Sequence, residues 1–463
     1  MTDSIRVLAL DHFFDQDLRA LEAHPRLDVR RFPYQRLRGP AMRMMGADVA
    51  SGLQAFARPE LAPARRRYAA WLADEVRRLY LERSFDVIVL PTDTLFYVRS
   101  LPDAAHALGI PVVVVQKETT ISAATMESHS ALMRATAPFA ADLMTVCSER
   151  HREFWLRTGA VGELLVVTGQ PRFDIYAAPR LREQRRRQRV LFLTYQLDAY
   201  VPGAGSGKGW RTWEPLRGAI ETVLLDAVRT GSCEVVVKCH PQQDQRSEAA
   251  RLSRRAGAMW NRGVSVAPID ADTRELIVAA DVVVGFQTTA LYEAVAARRS
   301  VVYAAWGEAY ERFREKLIRF DEAPAGCLEH AGSTEQLAAA LANPTTPADA
   351  TCAGWYEEAL GAVDGHATER VAERLAAVAA AWPPGAARAG LESHRRHFAA
   401  GLLARSLAAE AVWTVAVPVA RVAGEQRRVA IRRRRAREGR ALATAALLGR
   451  RPRSGDRVSP GAG

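Results

Sequence analysis

The chain of 463 residues is 48% hydrophobic and 25% charged, long enough for two or three globular domains, each with its own core. Its formal charge of +12 suggests nucleic acid until it is located: residues 384–463 hold 17 of the 64 bases and five of the 52 acids, so the tail carries the excess and the body is balanced. No uncharged apolar stretch reaches the ~18 residues of a spanning helix. The start, Met1-Thr-Asp-Ser, lacks the basic n-region and apolar core of a secretory signal. Five scattered cysteines (Cys147, Cys233, Cys239, Cys327, Cys352), odd in number and without metal-ligand spacing, predict reduced thiols and a cytoplasmic setting.

In chain order, Ile5–Leu10 reads as a strand and residues 14–23 as a helix. A long amphipathic run over 64–83 precedes the strand Phe85–Leu90, which ends in Pro91-Thr-Asp93-Thr. A helix over 100–108 leads to Ile110–Val115, an all-apolar strand ending in Gln116-Lys117-Glu118. Met144–Cys147 and Leu164–Thr168 read as further short strands. The charged, apolar-poor run 178–189 reads as a linker. The pattern then restarts with Val190–Thr194, Glu234–Lys238, Val264–Pro268, Asp281–Gly285 and Ser300–Ala304, and a helix over His366–Trp382 closes the second half. Strands alternating with helical patterns predict βαβ units, and two successive sets predict two open parallel sheets. In such sheets ligands lie beyond the carboxyl ends of the strands.

Three clusters at strand ends carry the candidate chemistry. Lys238-Cys-His240-Pro241 follows a valine-rich strand that Pro241 cannot extend, so His240 is presented at the sheet end. There it is either a turn histidine or a donor to a phosphate oxygen, with Lys238 favouring negative charge. In the segment from Asp281 to Glu293, Thr288 or Thr289 is placed to cap a helix and expose backbone N–H groups to an anion. Glu293, one turn further on, is either a solvated helix residue or an acceptor for ribose hydroxyls. In Gly169-Gln-Pro171-Arg172-Phe-Asp174 the spacing predicts a sharp turn with a local Arg172–Asp174 salt bridge. Asp93 and Glu118 each stand just past a strand and are candidates for a general base, with Glu118 ahead because its strand reads as central; His12 is a third candidate. The loop Gly203–Gly209 lacks the Walker pattern, and no HExxH, CxxC or paired-carboxylate spacing calls for a metal.

Together these segments resemble the GT-B superfamily that includes capsule-polysaccharide transferases, CDP-glycerol glycerophosphotransferases and non-hydrolysing UDP-N-acetylglucosamine 2-epimerases. The GxPxxD-like segment 169–174, the strand-His-Pro at 235–241 and the aspartate-strand-Thr-Thr-x3-Glu-Ala run at 281–294 occur in the family's order. Asp364-Gly-His-Ala-Thr-Glu-Arg370 resembles the closing helix of the glycerophosphotransferase branch. Phe286-Gln-Thr288-Thr stands where the epimerases carry Ser-Gly-Gly, and Gln116-Lys-Glu118 where glycerophosphotransferases show His-Gly. The resemblance covers about 1–380.

It implies an α/β GT-B fold of two Rossmann-like domains facing a cleft: an acceptor domain over 1–177, the linker 178–189, a nucleotide-donor domain over 190–383 and an Arg-rich tail over 384–463. It implies His240 on the donor diphosphate and Glu293 on the ribose, with Lys238, Pro241, Thr288 and Thr289 completing the nucleotide site. The expected activity is metal-independent transfer of a sugar or polyol phosphate from a nucleotide-sugar or CDP-polyol donor to a glycan or lipid-linked acceptor. The nucleotide-activated donor is substrate, so no separate cofactor is expected. A UDP-sugar 2-epimerase and a non-catalytic nucleotide- or glycan-binding protein are the alternatives. Residues 394–440, cationic and partly apolar, are expected to meet an anionic membrane surface, and specific nucleic-acid binding is not expected.

Overall fold

The computed structural model describes residues 4–12, 14–117, 123–177, 186–195, 197, 212–240, 243–347 and 349–382, with isolated positions at 391, 404 and 407–408. The described residues form twelve strands in two six-stranded, wholly parallel sheets. The first contains β1 (Ile5–Asp11), β2 (Leu27–Pro33), β3 (Val87–Leu90), β4 (Val112–Val115), β5 (Leu143–Val146) and β6 (Leu165–Val167) in the order β2-β1-β3-β4-β5-β6. The second contains β7 (Gln188–Leu193), β8 (Cys233–Lys238), β9 (Val264–Val266), β10 (Val282–Gly285), β11 (Ser300–Ala304) and β12 (Glu329–Ala331) in the order β12-β11-β10-β7-β8-β9. The fold is the expected pair of Rossmann-like sheets of a GT-B-like architecture. Each sheet has one point where the strand order reverses, between β1 and β3 and between β7 and β10, and crevices for ligands open at such points.

Burial on both faces explains the valine runs. On β4, Val112 and Val114 join a core with Tyr68, Leu72, Val76 and Leu79 of the helix Ala62–Glu82. Val113 and Val115 pack on the opposite face with Val7, Ala9, Phe14 and Leu18. The edge strand β2 escapes the sequence pattern because Arg30 and Arg31 interrupt its apolar positions. These cations are held by Glu82 at 2.8 Å and by Glu22 at 2.8 Å. β12, the outer strand of the second sheet, is only three residues long and is likewise too short for a pattern to show.

Three expectations are corrected. The helix Ala367–Ala381, read as closing the second half, packs on the first sheet: Val371, Ala372 and Leu375 are buried against Val7, Val87 and Val113. The predicted Arg172–Asp174 pair does not form, because Asp174 caps this returning helix. Its carboxylate accepts the backbone N–H of Ala367 at 2.9 Å and of Thr368 at 2.8 Å, as well as the Thr368 hydroxyl. Two of the five cysteines are not thiols, since Cys327 and Cys352 form a disulfide, while Cys147, Cys233 and Cys239 are free and buried. Sequence spacing was silent on this pair because its partners, 25 residues apart, meet only through the packing of the second domain. Among the described residues, no helix is long and apolar enough to cross a membrane. The 203–209 loop and the interfacial segment 394–440 lie outside the described residues, apart from the isolated positions 404 and 407–408.

Candidate functional site at the facing sheet ends

In the second sheet, β8 ends at Lys238 and hands His240 to the crevice rim. The turn is fastened by Gln243, a residue that sequence reasoning passed over. Its Oε1 accepts the backbone N–H of His240 at 2.7 Å and the hydroxyl of Thr194 at 2.6 Å, while its Nε2 donates to the carbonyl of Tyr195 at 3.1 Å. One amide thus ties the ends of β7 and β8 together and sets the backbone that carries the imidazole. The available signal was an amide side chain three residues beyond a turn histidine, which closes a local ring of hydrogen bonds. Burial lowers the pKa of His240, and the positive charges of Lys117 and Lys238 lower it further. A neutral imidazole with cations around it becomes a charged donor when an anion arrives. Lys238 is itself mostly buried, with its ammonium donating to the carbonyl of Ile269 at 3.1 Å. It therefore supplies field at the site, with its ammonium directed to backbone. Pro241 lies outside the described residues.

At the reversal point between β7 and β10, Phe286 and Gln287 build the wall. Phe286 is buried among Tyr195, Trp213 and Tyr303, at ring distances of 5.0, 4.7 and 6.0 Å. Gln287 donates to the Tyr303 hydroxyl at 2.8 Å and exchanges two bonds with the backbone of Ile318. Thr288 and Thr289 stand half-exposed at the start of the helix Ala290–Ala296. Thr288 Oγ1 accepts the N–H of Ala290 at 3.3 Å, whereas Thr289, in the cap position, has helical backbone and makes no side-chain cap. The two hydroxyls are therefore placed differently although the sequence offered them as equals.

Glu293 does not lie open on a helix face. It is buried, its Oε2 accepts the Tyr176 hydroxyl at 2.7 Å, and its Oε1 lies 3.8 Å from Arg172. Tyr176 and Arg172 sit on the 3-10 segment Pro171–Tyr176 that leads from the first sheet toward the second. Arg172 is further anchored through its backbone: its N–H donates to Asp17 at 3.2 Å and its carbonyl accepts from Arg274 at 3.0 Å. The segment read as a plain turn is a connector bonded to helices of both domains. Gln16 on the first helix reaches Asp272 of the second domain at 3.0 Å, which adds a direct contact across the cleft.

In the first sheet, the spacing put Asp93 on an open strand end, but the structure encloses it completely. One oxygen accepts the N–H of Ala140 at 2.7 Å and lies 3.5 Å from Arg99, while Oδ1 has no hydrogen-bond partner among the described residues. Burial raises its pKa, opposed by the Ala140 bond and by Arg99. A carboxylate shut away from solvent and bonded to backbone holds the loop after β3 and is not poised to take a proton from an acceptor. Glu118 lies outside the described residues, but Lys117, half-exposed at the end of β4, is described. Its backbone N–H donates to Pro91 at 2.9 Å, and its charge acts on both His12 in its own sheet and His240 across the cleft. Among the described residues no group of three or more histidine, cysteine or carboxylate side chains is placed to hold a metal ion.

No protein-family model matches the chain, and no curated protein does. Among solved structures it is similar to UDP-GlcNAc 2-epimerase from Methanocaldococcus jannaschii, with 12% identity and a TM-score of 0.47 over 81% of this chain and 99% of that one. It is similar also to UDP-GlcNAc 2-epimerase from Neisseria meningitidis bound to UDP-GlcNAc, with 12% identity and a TM-score of 0.44 over 81% and 100%. A third is an Anabaena protein in complex with UDP and glucose, with 16% identity and a TM-score of 0.40 over 81% and 100%. Likeness at this level leaves the activity to be argued from the residues.

Proposed function

We propose that the protein is an enzyme acting on a nucleotide-activated sugar or polyol phosphate. The nucleotide lies at the β7–β10 reversal point and its diphosphate lies against His240. The observation that supports the reading most is that the positive charge of Lys117, at the end of β4, acts on His240, beyond the end of β8 in the other sheet. A cation and a protonatable imidazole close enough for one charge to act on the other favour a dianionic linkage beside them and stabilise a departing nucleotide without a metal. The half-exposed Thr288 hydroxyl lies at the same sheet end, and Glu293, one turn further along the helix and held by Tyr176, is the ribose contact in this scheme.

Two chemistries use such a site. In transfer, the donor bond breaks as an acceptor hydroxyl attacks, with Glu118 as the base. In 2-epimerisation, the activity for which the Methanocaldococcus and Neisseria structures are named, a UDP-sugar is rearranged with no acceptor at all. Incubating the purified chain with UDP-, CDP- and GDP-linked sugars, with and without glycan acceptors, separates them. Product formed only with acceptor means transfer, and a changed sugar without acceptor means epimerisation. Nucleotide binding with no turnover in either case means a binding protein, and no binding at all overturns the proposal.

A further inference from the structure

We propose that the first sheet carries its own pocket for a phosphorylated sugar or polyol, built by His12, Tyr34, Arg38, Tyr97 and Lys117. The inference rests on the nucleotide reading above, for which it supplies the second ligand or the far end of the first. Four of the five come from strand ends that are adjacent in the sheet, and Arg38 stands one helical turn beyond Tyr34, its N–H donating to the Tyr34 carbonyl at 2.9 Å. Tyr34 follows β2, His12 follows β1, Tyr97 lies in the loop after β3, and Lys117 follows β4, in the spatial order β2-β1-β3-β4. The order reverses between β1 and β3, so the cluster straddles the point where a doubly wound sheet opens a crevice. Chain distance conceals the grouping, since 105 positions separate His12 from Lys117.

The rings form a shelf. His12 meets Tyr34 edge-on at 4.1 Å and Tyr97 at 5.9 Å, the two tyrosines are 6.1 Å apart, and Phe96 meets Tyr97 edge-on at 5.1 Å. His12 and Tyr34 are half-buried, so part of the shelf is open, and aromatic faces of this kind receive the C–H face of a sugar or polyol. The Tyr97 hydroxyl is buried and has no hydrogen-bond partner among the described residues, a donor whose desolvation is uncompensated until a ligand meets it.

The charge selects the ligand. Arg38 is half-buried yet has no carboxylate partner among the described residues, in contrast to Arg30, Arg31 and Arg36 beside it, which are paired with Glu82, Glu22 and Glu75. Asp11, which precedes His12 in the chain, has its carboxylate 3.8 Å from Arg31. Burial, together with the charges of Lys117 and Arg38, pushes His12 down to about 4, so the imidazole is neutral at working pH and the two cations set the field. A half-buried guanidinium one helical turn beyond Tyr34, with no carboxylate partner among the described residues and with its charge and that of Lys117 acting on His12, matches a phosphate ester better than a neutral hydroxyl.

Calorimetric titration of the full chain with glycerol 3-phosphate and glucose 1-phosphate, against glycerol, glucose and UDP, tests this. The phosphorylated probes are expected to bind at least tenfold more tightly than their uncharged parents, with saturating UDP leaving their affinity in place. Arg38→Gln should weaken them about tenfold while UDP affinity stays within twofold, and Tyr97→Phe, which removes one hydroxyl, serves where Arg38→Gln does not fold. Displacement of the probes by UDP, or a loss of probe affinity in His240→Gln but not in the Arg38 or Tyr97 variants, would place them in the second domain and overturn the proposal. Binding of UDP without any probe sinks the pocket and leaves the nucleotide reading standing. Binding of neither sinks the pocket, and the nucleotide reading falls with it only when CDP and GDP fail to bind as well.

Discussion

At the scale of single residues, two side chains decide most. His240 is held neutral by burial and by neighbouring cations, so a phosphate bound beside it raises its pKa and draws in a proton. Affinity for a nucleotide sugar, whose diphosphate has no titrating proton near neutrality, should therefore rise as pH falls from above the ordinary histidine range toward the depressed value. His240→Gln should flatten that dependence and cut turnover about 10- to 100-fold, the loss of ~1.5–3 kcal/mol typical of a charge-assisted hydrogen bond. Wild-type turnover in the variant would remove His240 from the site. Glu293 is the second. Tyr176→Phe takes away the donor to a buried carboxylate and should cost about 1–3 kcal/mol of stability. Glu293→Gln keeps an acceptor for Tyr176, so a fall in nucleotide affinity without a matching fall in Tm identifies the ribose contact. A change in Tm alone leaves Glu293 as a structural link between the domains.

At the scale of elements, the motifs at 169–174 and 364–370 are halves of one clasp. Asp174 caps the returning helix, and Arg370 joins Asp364 at 2.7 Å and the carbonyl of Thr168 at 2.7 Å. Gly361 has φ 77°, and a Cβ there would stand 1.6 Å from the carbonyl oxygen of Cys147. Asp174→Ala should lower stability by about 1–2 kcal/mol, the usual cost of a lost helix cap, seen as a lower denaturation midpoint with an unchanged slope. Gly361→Ala should do more damage, because backbone must move to admit the methyl. The sequence showed both motifs as turn chemistry, but nothing in it said that they touch, since about 190 residues intervene.

At the scale of the whole molecule, the Cys327–Cys352 disulfide and the tail make separate predictions. The bond closes a 25-residue stretch, so Cys352→Ala or a reductant should remove about 3 kcal/mol and lower Tm. Equal Tm with and without reductant would show that the thiols are not joined. The cationic tail is proposed to meet anionic membrane: with 17 arginines beside apolar residues such as Leu402, Val412 and Trp413, the full chain should sediment with anionic vesicles at physiological salt. A version ending at Pro383 should stay in solution. If both pellet, or neither does, the tail has no such role.

The sequence by itself determined what is periodic or local. The valine runs of β4 and β10 declared buried parallel strands, and Pro241 and Gly169 declared turns. The arginine count separated tail from body. These follow from side-chain spacing along the chain, which needs no partner to be read. Only the tertiary structure decided what depends on distant segments meeting. It put Asp93 under Ala140, Glu293 under Tyr176, and the last helix on the first sheet. It brought His12, Tyr34, Tyr97 and Lys117 to neighbouring strand ends. The reason is topological: in a doubly wound parallel sheet, strands adjacent in space are joined by long crossovers, so a site at their carboxyl ends is assembled from residues the chain keeps far apart.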